Sequence, residues 1–191
     1  MKLLSPLNFG LILILMILSG ECFSQESSDI FTCKNGRVSF LSDAPLEVIR
    51  ASSNNLAGAM NLDDRSFSFI LATKTFEGFN SSLQRTHFNE DYMETDSYPN
   101  STFKGRIIEE TDLSQPGSYR IRTKGKMNIH GIEQDRIVRC DVTVSEDKID
   151  VKASFTVFLT DHKISIPSIL NQKIAEEIKV DISFTLTPAA R

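Results

Sequence analysis

The 191-residue sequence has no Trp, only 3 His and 3 Cys, and no basic excess: Lys plus Arg number 21 against 25 for Asp plus Glu, a formal charge of -4. Each scarcity removes a class of function. A duplex nucleic-acid binder ordinarily carries surplus cations to neutralise phosphates, so nucleic acid is not an expected partner. Few histidines leave little material for imidazole catalysis or a histidine-rich metal centre. The sequence also lacks G-x-S-x-G, H-E-x-x-H, C-x-x-C, a P-loop and G-x-G-x-x-G. With them go the nucleophile elbow, the zinc-protease helix, the redox pair and the loops that cradle phosphates. No cofactor is expected. What is plentiful is Phe, at 13 residues, and this composition favours a binding module over an enzyme.

Long apolar runs are scarce as well. The one present, FGLILILMIL at 9–18, follows Lys2 and precedes Cys22-Phe23-Ser24. A short positive start, an apolar centre and small residues ahead of Gln25 predict a secretory signal peptide over 1–24. The run is half of the roughly 20 residues a membrane-spanning helix needs. Glu21, not a small residue, precedes Cys22, which disfavours a lipoprotein anchor. The expected organisation is a signal peptide at 1–24, a short tail at 25–30, one domain at 31–188 and a tail at 189–191, with the mature protein periplasmic or secreted. Removing 1–24 takes one cation, Lys2, and one anion, Glu21, so the charge stays at -4. Export would place Cys33 and Cys140 in an oxidising compartment, where they form a possible disulfide. The alternative is that Cys140, in the alternating run VRCDVTV, is a buried thiol.

Beyond Gln25 the dominant signal is period-two alternation, the mark of strands with one buried face. In 119–131, Tyr119, Ile121, Thr123, Gly125, Met127, Ile129 and Gly131 fall on one side. Arg120, Arg122, Lys124, Lys126, Asn128 and His130 fall on the other. Ile149 to Leu159 and Val180 to Leu186 repeat the pattern. Shorter matches lie at Val38/Phe40, Phe67/Phe69/Leu71, Phe103/Gly105/Ile107 and Val138/Cys140/Val142/Val144, for seven candidate strands in all. Links at 131–136 and 145–148 are short enough to make the central strands an antiparallel meander. Helical signals are few: Phe76, Phe79, Leu83 and His87 fit one short amphipathic helix, and Leu170, Ile174 and Ile178 fit another. The fold class is all-β, a sandwich or a closed barrel. Closing a barrel removes both sheet edges, and eight strands leave an interior that packs solid or holds one small ligand.

The one polar constellation is His87, Glu90, Asp91, Glu94 and Asp96. It reads either as a solvated acidic loop, as a hard-cation site, or as an acid-base pair made by His87 with Glu90 or Asp91. Two Asn-x-Ser/Thr sequons occur, at Asn80 and Asn100.

HFNEDYMETDSYPNSTFKGRI at 87–107, a Gly-containing amphipathic hairpin, and IPSILNQKIAEEIKVDISFTL at 166–186 together resemble the YceI-like family of exported bacterial proteins, in the short form found in Bacteroidetes. The resemblance spans roughly 31–186 and is most specific at Tyr98-Pro99 and Phe103-Lys104-Gly105. It implies a lipocalin-like, eight-stranded antiparallel barrel whose apolar tunnel takes an amphiphilic lipid such as an isoprenoid, quinone or fatty-acyl chain. The stretch 34–67 departs from the family pattern, lacking the His-Ser near the opening strand, so no head-group contacts carry over.

In such a barrel Phe67, Phe69, Phe103, Ile121, Met127, Phe155 and Val157 would line the interior, and Phe76, Phe79, Leu83 and Phe88 would form a lid. Gly105 and Gly125 in the inward rows either make room for a chain or mark bends where the barrel curls. The competing reading is a filled barrel with a structural or stress-response role. Outside, Lys104 and Arg106 share a face with Arg120, Arg122, Lys124 and Lys126. That face is either relieved by acidic neighbours or docks on an anionic membrane surface.

Overall fold

Alternating strands joined by short polar links can bury one face each only by curling that face inward, and this chain does so completely. In the computed structural model, which describes residues 30–189, eight strands follow one another around a closed antiparallel barrel. They are β1 (Ile30–Asp43), β2 (Val48–Asn61), β3 (Ser66–Ala72), β4 (Asn100–Ile107), β5 (Gly117–Ile129), β6 (Ile132–Val144), β7 (Ile149–Phe158) and β8 (Glu177–Pro188). β8 returns to pair with β1, leaving neither as an edge. The expected signal peptide at 1–24 and the following residues up to 29 lie outside the described residues.

The strand without a sequence signal is β2. Its residues VIRASSNNLAGAMN are mostly small or polar, and its buried positions Ile49, Ala51, Ser53, Leu56 and Met60 break parity after Ser53. The cause is in the register, which shifts on either side of Gly36 in β1. A bulge inserts an extra residue and flips which side chains face inward. The same shift puts Cys33, Gly36 and Val38 on the buried side.

Three expected local features are corrected. The link between β5 and β6 is not 131–136 but the pair His130-Gly131, with φ of 52° and 71°, the left-handed pair that a two-residue hairpin turn requires. The helix expected to begin at Phe76 begins at Ser82: α1 (Ser82–His87) is capped by Ser81, whose hydroxyl accepts from the Gln84 N–H. Gly78, at φ of 92°, keeps Phe76 and Phe79 out of it. Near the C-terminus Ser168–Leu170 form one 3-10 turn, and Ile178 already belongs to β8.

Gly105 and Gly125 face each other across β4 and β5. A Cβ on Gly105 would lie 2.1 Å from the Lys124 carbonyl oxygen, and one on Gly125 2.2 Å from that of Lys104. These glycines permit the backbones to approach where the wall curls; they do not open the interior. Of the two readings left open for the cysteines, bridge and buried thiol, the structure shows the second. Cys33 and Cys140 are separate buried thiols on β1 and β6, strands that are not neighbours in the barrel. Cys33 instead donates to the Leu56 carbonyl.

The up-and-down order sorts the connections by end. Segments 62–65, 108–116 and 145–148 close a floor, where Ile149 and Leu186 are 1% and 0% exposed and Leu113 turns in beneath them. Segments 44–47, 73–99, 130–131 and 159–176 gather at the opposite mouth.

Candidate functional site

Above the floor the inward rows do not meet, and they enclose a cavity of about 530 Å³. This falls within the roughly 300–1,000 Å³ of small-molecule sites. The structure brings every expected interior residue to its wall: Phe67, Phe69, Phe103, Ile121, Met127, Phe155 and Val157. Phe76, Phe79, Leu83 and Phe88 also reach it, from the segment over the mouth. Phe40 of β1, Tyr92 of the lid, and Val180, Ile182 and Phe184 of β8 complete it. Alternation in β1 and β8 marks those strands as half-buried without distinguishing a cavity wall from solid core. Leu113, at the closed end, carries no periodic signal because it sits in a loop.

The lid is built around an aromatic cluster and not a helical stripe. Phe40 reaches up from β1 and meets Phe76, Phe79 and Phe88 at centroid distances of 5.1, 5.9 and 5.5 Å, while Phe79 and Phe88 are 5.0 Å apart. Such pairs contribute about 0.5–1.5 kcal/mol each beyond burial. Leu83 lies at the rim, 62% exposed. Polar ties fix the base of the lid: Thr73 Oγ1 lies 3.2 Å from Ser101 Oγ, Thr75 Oγ1 lies 2.6 Å from Ser53 Oγ, and Ser52 and Glu77 exchange backbone hydrogen bonds.

Electrostatically the cavity has two zones. Its charged lining residues, Glu47 and Lys173, and its one histidine, His87, all come from mouth segments. Deeper, Thr123 turns its hydroxyl to the Val138 carbonyl at 3.2 Å. Burial pushes the Cys140 thiol up to about 11, so it stays a neutral, inert part of the wall. An apolar chain meets no unsatisfied charge there.

The acidic constellation divides among three partners. Helical spacing pairs His87 Nδ1 with Asp91 Oδ2 at 2.5 Å, on side chains 50% and 58% exposed. Glu94 bonds His130, and Asp96 pairs with Lys74. No group of three or more His, Cys, Asp or Glu is poised to hold a metal ion among the described residues. The His87–Asp91 pair is present at the mouth, where, among the described residues, His87 hydrogen-bonds only Asp91.

Outside, the register sets Lys104 opposite Lys126, Arg106 opposite Lys124, and Arg122 opposite Arg139. Lys126 pairs with Asp135 at 3.0 Å, Arg120 with Asp141 at 3.0 Å, and Arg122 with Glu109 at 2.7 Å. The Arg122 backbone N–H and guanidinium together hold the Glu109 carboxyl below its usual range. Ile137, 59% exposed, lies across from Lys124.

The family model of the YceI-like domain matches residues 31–186. No curated protein sequence matches the chain. Among solved structures, the fold is similar to a polyisoprenoid-binding domain from Saccharophagus degradans implicated in plant cell wall breakdown, with a TM-score of 0.73 at 11% identity, covering 84% of this chain and 99% of that one. It is also similar to Burkholderia cenocepacia BcnA, with a TM-score of 0.66 at 13% identity over 78% and 95%. A third likeness is the YceI protein of Campylobacter jejuni, at 0.60 and 13% identity over 72% and 84%.

Proposed function

The chain belongs to the YceI-like domain family, and on that premise we propose that it binds and shields the apolar chain of an amphiphilic lipid, without covalent chemistry. The observation that carries this reading is the cavity itself: about 530 Å³, walled mainly by Phe and aliphatic side chains, closed at the floor and with its charged residue types confined to the mouth. Burying a methylene releases about 0.8 kcal/mol, so ten release about 8. Association alone costs an estimated 4–15 kcal/mol, so tight binding calls for a chain longer than ten carbons, of the isoprenoid, quinone or fatty-acyl class. Thermodynamically, specificity would reside in chain length and in the mouth. A polyisoprenoid is the named ligand of the similar Saccharophagus degradans domain, which supports the class.

The test is a titration of the delipidated protein with polyprenol, quinone and fatty-acyl probes of graded length. Affinity should rise with chain length and then level off once the cavity is full. No uptake of any of them would refute the carrier function and leave a filled, structural barrel.

Two further parts of this reading concern location. The signal-like segment 1–24 supports an exported protein whose mature chain begins at Gln25, in the periplasm or outside the cell. Its intact mass decides this, and a chain retaining 1–24 or bearing a lipid on Cys22 would contradict it. Across β4 and β5, Lys104 faces Lys126 and Arg106 faces Lys124; Lys126 is relieved by Asp135 and Arg106 by Asp64, so it is the charge of Lys104 and Lys124 that supports transient contact with an anionic membrane. Flotation with anionic vesicles at low salt, lost at high salt and absent with neutral vesicles, is the expected result. Equal binding to both vesicle types, or to neither, would refute it.

A further inference from the structure

His130 occupies the tip of the β5–β6 turn and touches both covers of the mouth. Its Nε2 lies 3.0 Å from Oε2 of Glu94 in the lid, and its Nδ1 lies 3.1 Å from the carbonyl oxygen of His162, just after β7. The Tyr98 ring, also from the lid, packs edge-on against the imidazole at 4.6 Å and leaves the side chain 13% exposed. Both oxygens facing the ring accept hydrogen bonds and neither donates. An imidazolium satisfies both, whereas a neutral imidazole carries one N–H and turns a lone pair toward the other oxygen.

The backbone around this joint is strained in the same place. Of the four non-glycine residues with positive φ among the described residues, Glu94, His130 and Lys163 converge here. Such conformations persist only where surrounding contacts hold them, and they cluster at switches. The second cover depends on the same joint. On the β6 side of the mouth, residues 132–139 have no ladder partner in β7, whose pairing with β6 begins at Cys140 and Ala153. Side chains span the gap: Arg136 to the Thr156 carbonyl, Gln134 to the Asp161 carbonyl at 2.7 Å, and His162 Nδ1 to the Ile132 carbonyl at 3.2 Å.

We propose that His130 is a proton-operated latch on the mouth, closed when its ring carries both protons. On deprotonation the single N–H stays with the enclosed His162 carbonyl, and Glu94, half exposed, turns to water. The lid then loses its tie to the rim. The other titratable and charged groups at the joint are Tyr98 of the lid, Asp161, His162 and the exposed Lys163 after β7, and Arg136 of β6. Arg136 and Asp161 approach to 3.9 Å, and burial holds the His162 ring toward its neutral form. Neither that pair nor the enclosed His162 touches Glu94, which leaves His130 as the imidazole that ties the lid at this joint. A role in ligand exchange rests on the lipid-carrier reading; the latch itself does not.

Amide hydrogen exchange across residues 88–99, expressed as protection factors, tests it between about pH 5 and pH 8, the span in which imidazoles change charge. Wild-type protection should fall roughly tenfold as pH rises, the scale of one hydrogen bond to a charged group. His130→Gln should be low and level at both values. Glu94→Gln, at an exposed position, should shrink the fall without disturbing the barrel. His87→Gln removes the lid's other imidazole and should keep the full fall. Equal wild-type protection at both pH values, or a fall that survives in His130→Gln, would overturn the latch. Release of a fluorescent polyene fatty acid, measured alongside, separates the two proposals. A pH-dependent lid with no probe bound keeps the latch and refutes the carrier; bound probe under a pH-independent lid does the reverse.

Discussion

The two ends of the barrel are built on different principles. At the floor, Ile149, Leu186, Val142 and Val144 are between 0% and 6% exposed and lie within the continuous ladder that joins β6, β7 and β8 there. At the mouth, Phe79 lies in a loop and Phe88 caps a six-residue helix, Leu83 is largely exposed, and the ties are side-chain bonds to Ser101, Ser53 and His130 and one isolated backbone bridge between Ser52 and Glu77. Local opening free energy follows buried apolar contact and laddered hydrogen bonds. The floor therefore supplies the stability that defines the barrel. The mouth is the part that can open without unfolding the rest, as a carrier needs.

Substitutions at each end test that division. The largest expected effect is at the floor: Ile149→Ala, at a buried position off the cavity wall, should cost about 2–5 kcal/mol by denaturant unfolding, with little change in lipid selectivity. Next is an alkaline loss from the middle of the wall. Cys140 ionises near 9.0 when unfolded but at about 11 when buried, so the unfolded state sheds its proton first. Stability is full below pH 9.0 and declines toward pH 11, by about 2–3 kcal/mol. Cys140→Val should abolish that share of the decline.

A smaller effect is expected at the mouth. Phe79→Ala removes two ring contacts and should cost about 1–3 kcal/mol while speeding ligand release. Smallest in stability is Phe103→Trp. Overpacking a filled core costs about 1–3 kcal/mol, but an added ring that enters the open cavity should cost less and displace the chain. A large loss of stability with undiminished lipid would erase the distinction between the two ends.

The same division governs how much was legible in the sequence. β5, β7 and β8 read directly, because each pairs along most of its length and keeps one parity. β2 did not, since the bulge at Gly36 breaks its parity and its inward residues include Ala and Ser. The cavity wall was legible residue by residue, from Phe67 to Val157, because inward parity on a strand is a local property. The lid was legible as an apolar stretch with one short helix, but that helix begins at Ser82 and not at Phe76: what orders Phe76, Phe79 and Phe88 is Phe40, a partner on another strand. His130 gave no signal at all. Its partners Glu94 and His162 lie 36 and 32 residues away, and only closure of the barrel brings them together. The glycines at 105 and 125 admitted two readings, and only their direct pairing decided between them.

The central claim is that the space above the floor holds a lipid chain, and native mass spectrometry of the protein purified from its own host without denaturant tests it most directly. The account predicts a mature chain carrying one amphiphile with a single long apolar tail, released on denaturation and depleted in Phe103→Trp. Apo protein alone from the host, together with no uptake of polyprenyl, quinone or fatty-acyl probes by the purified barrel, would contradict it.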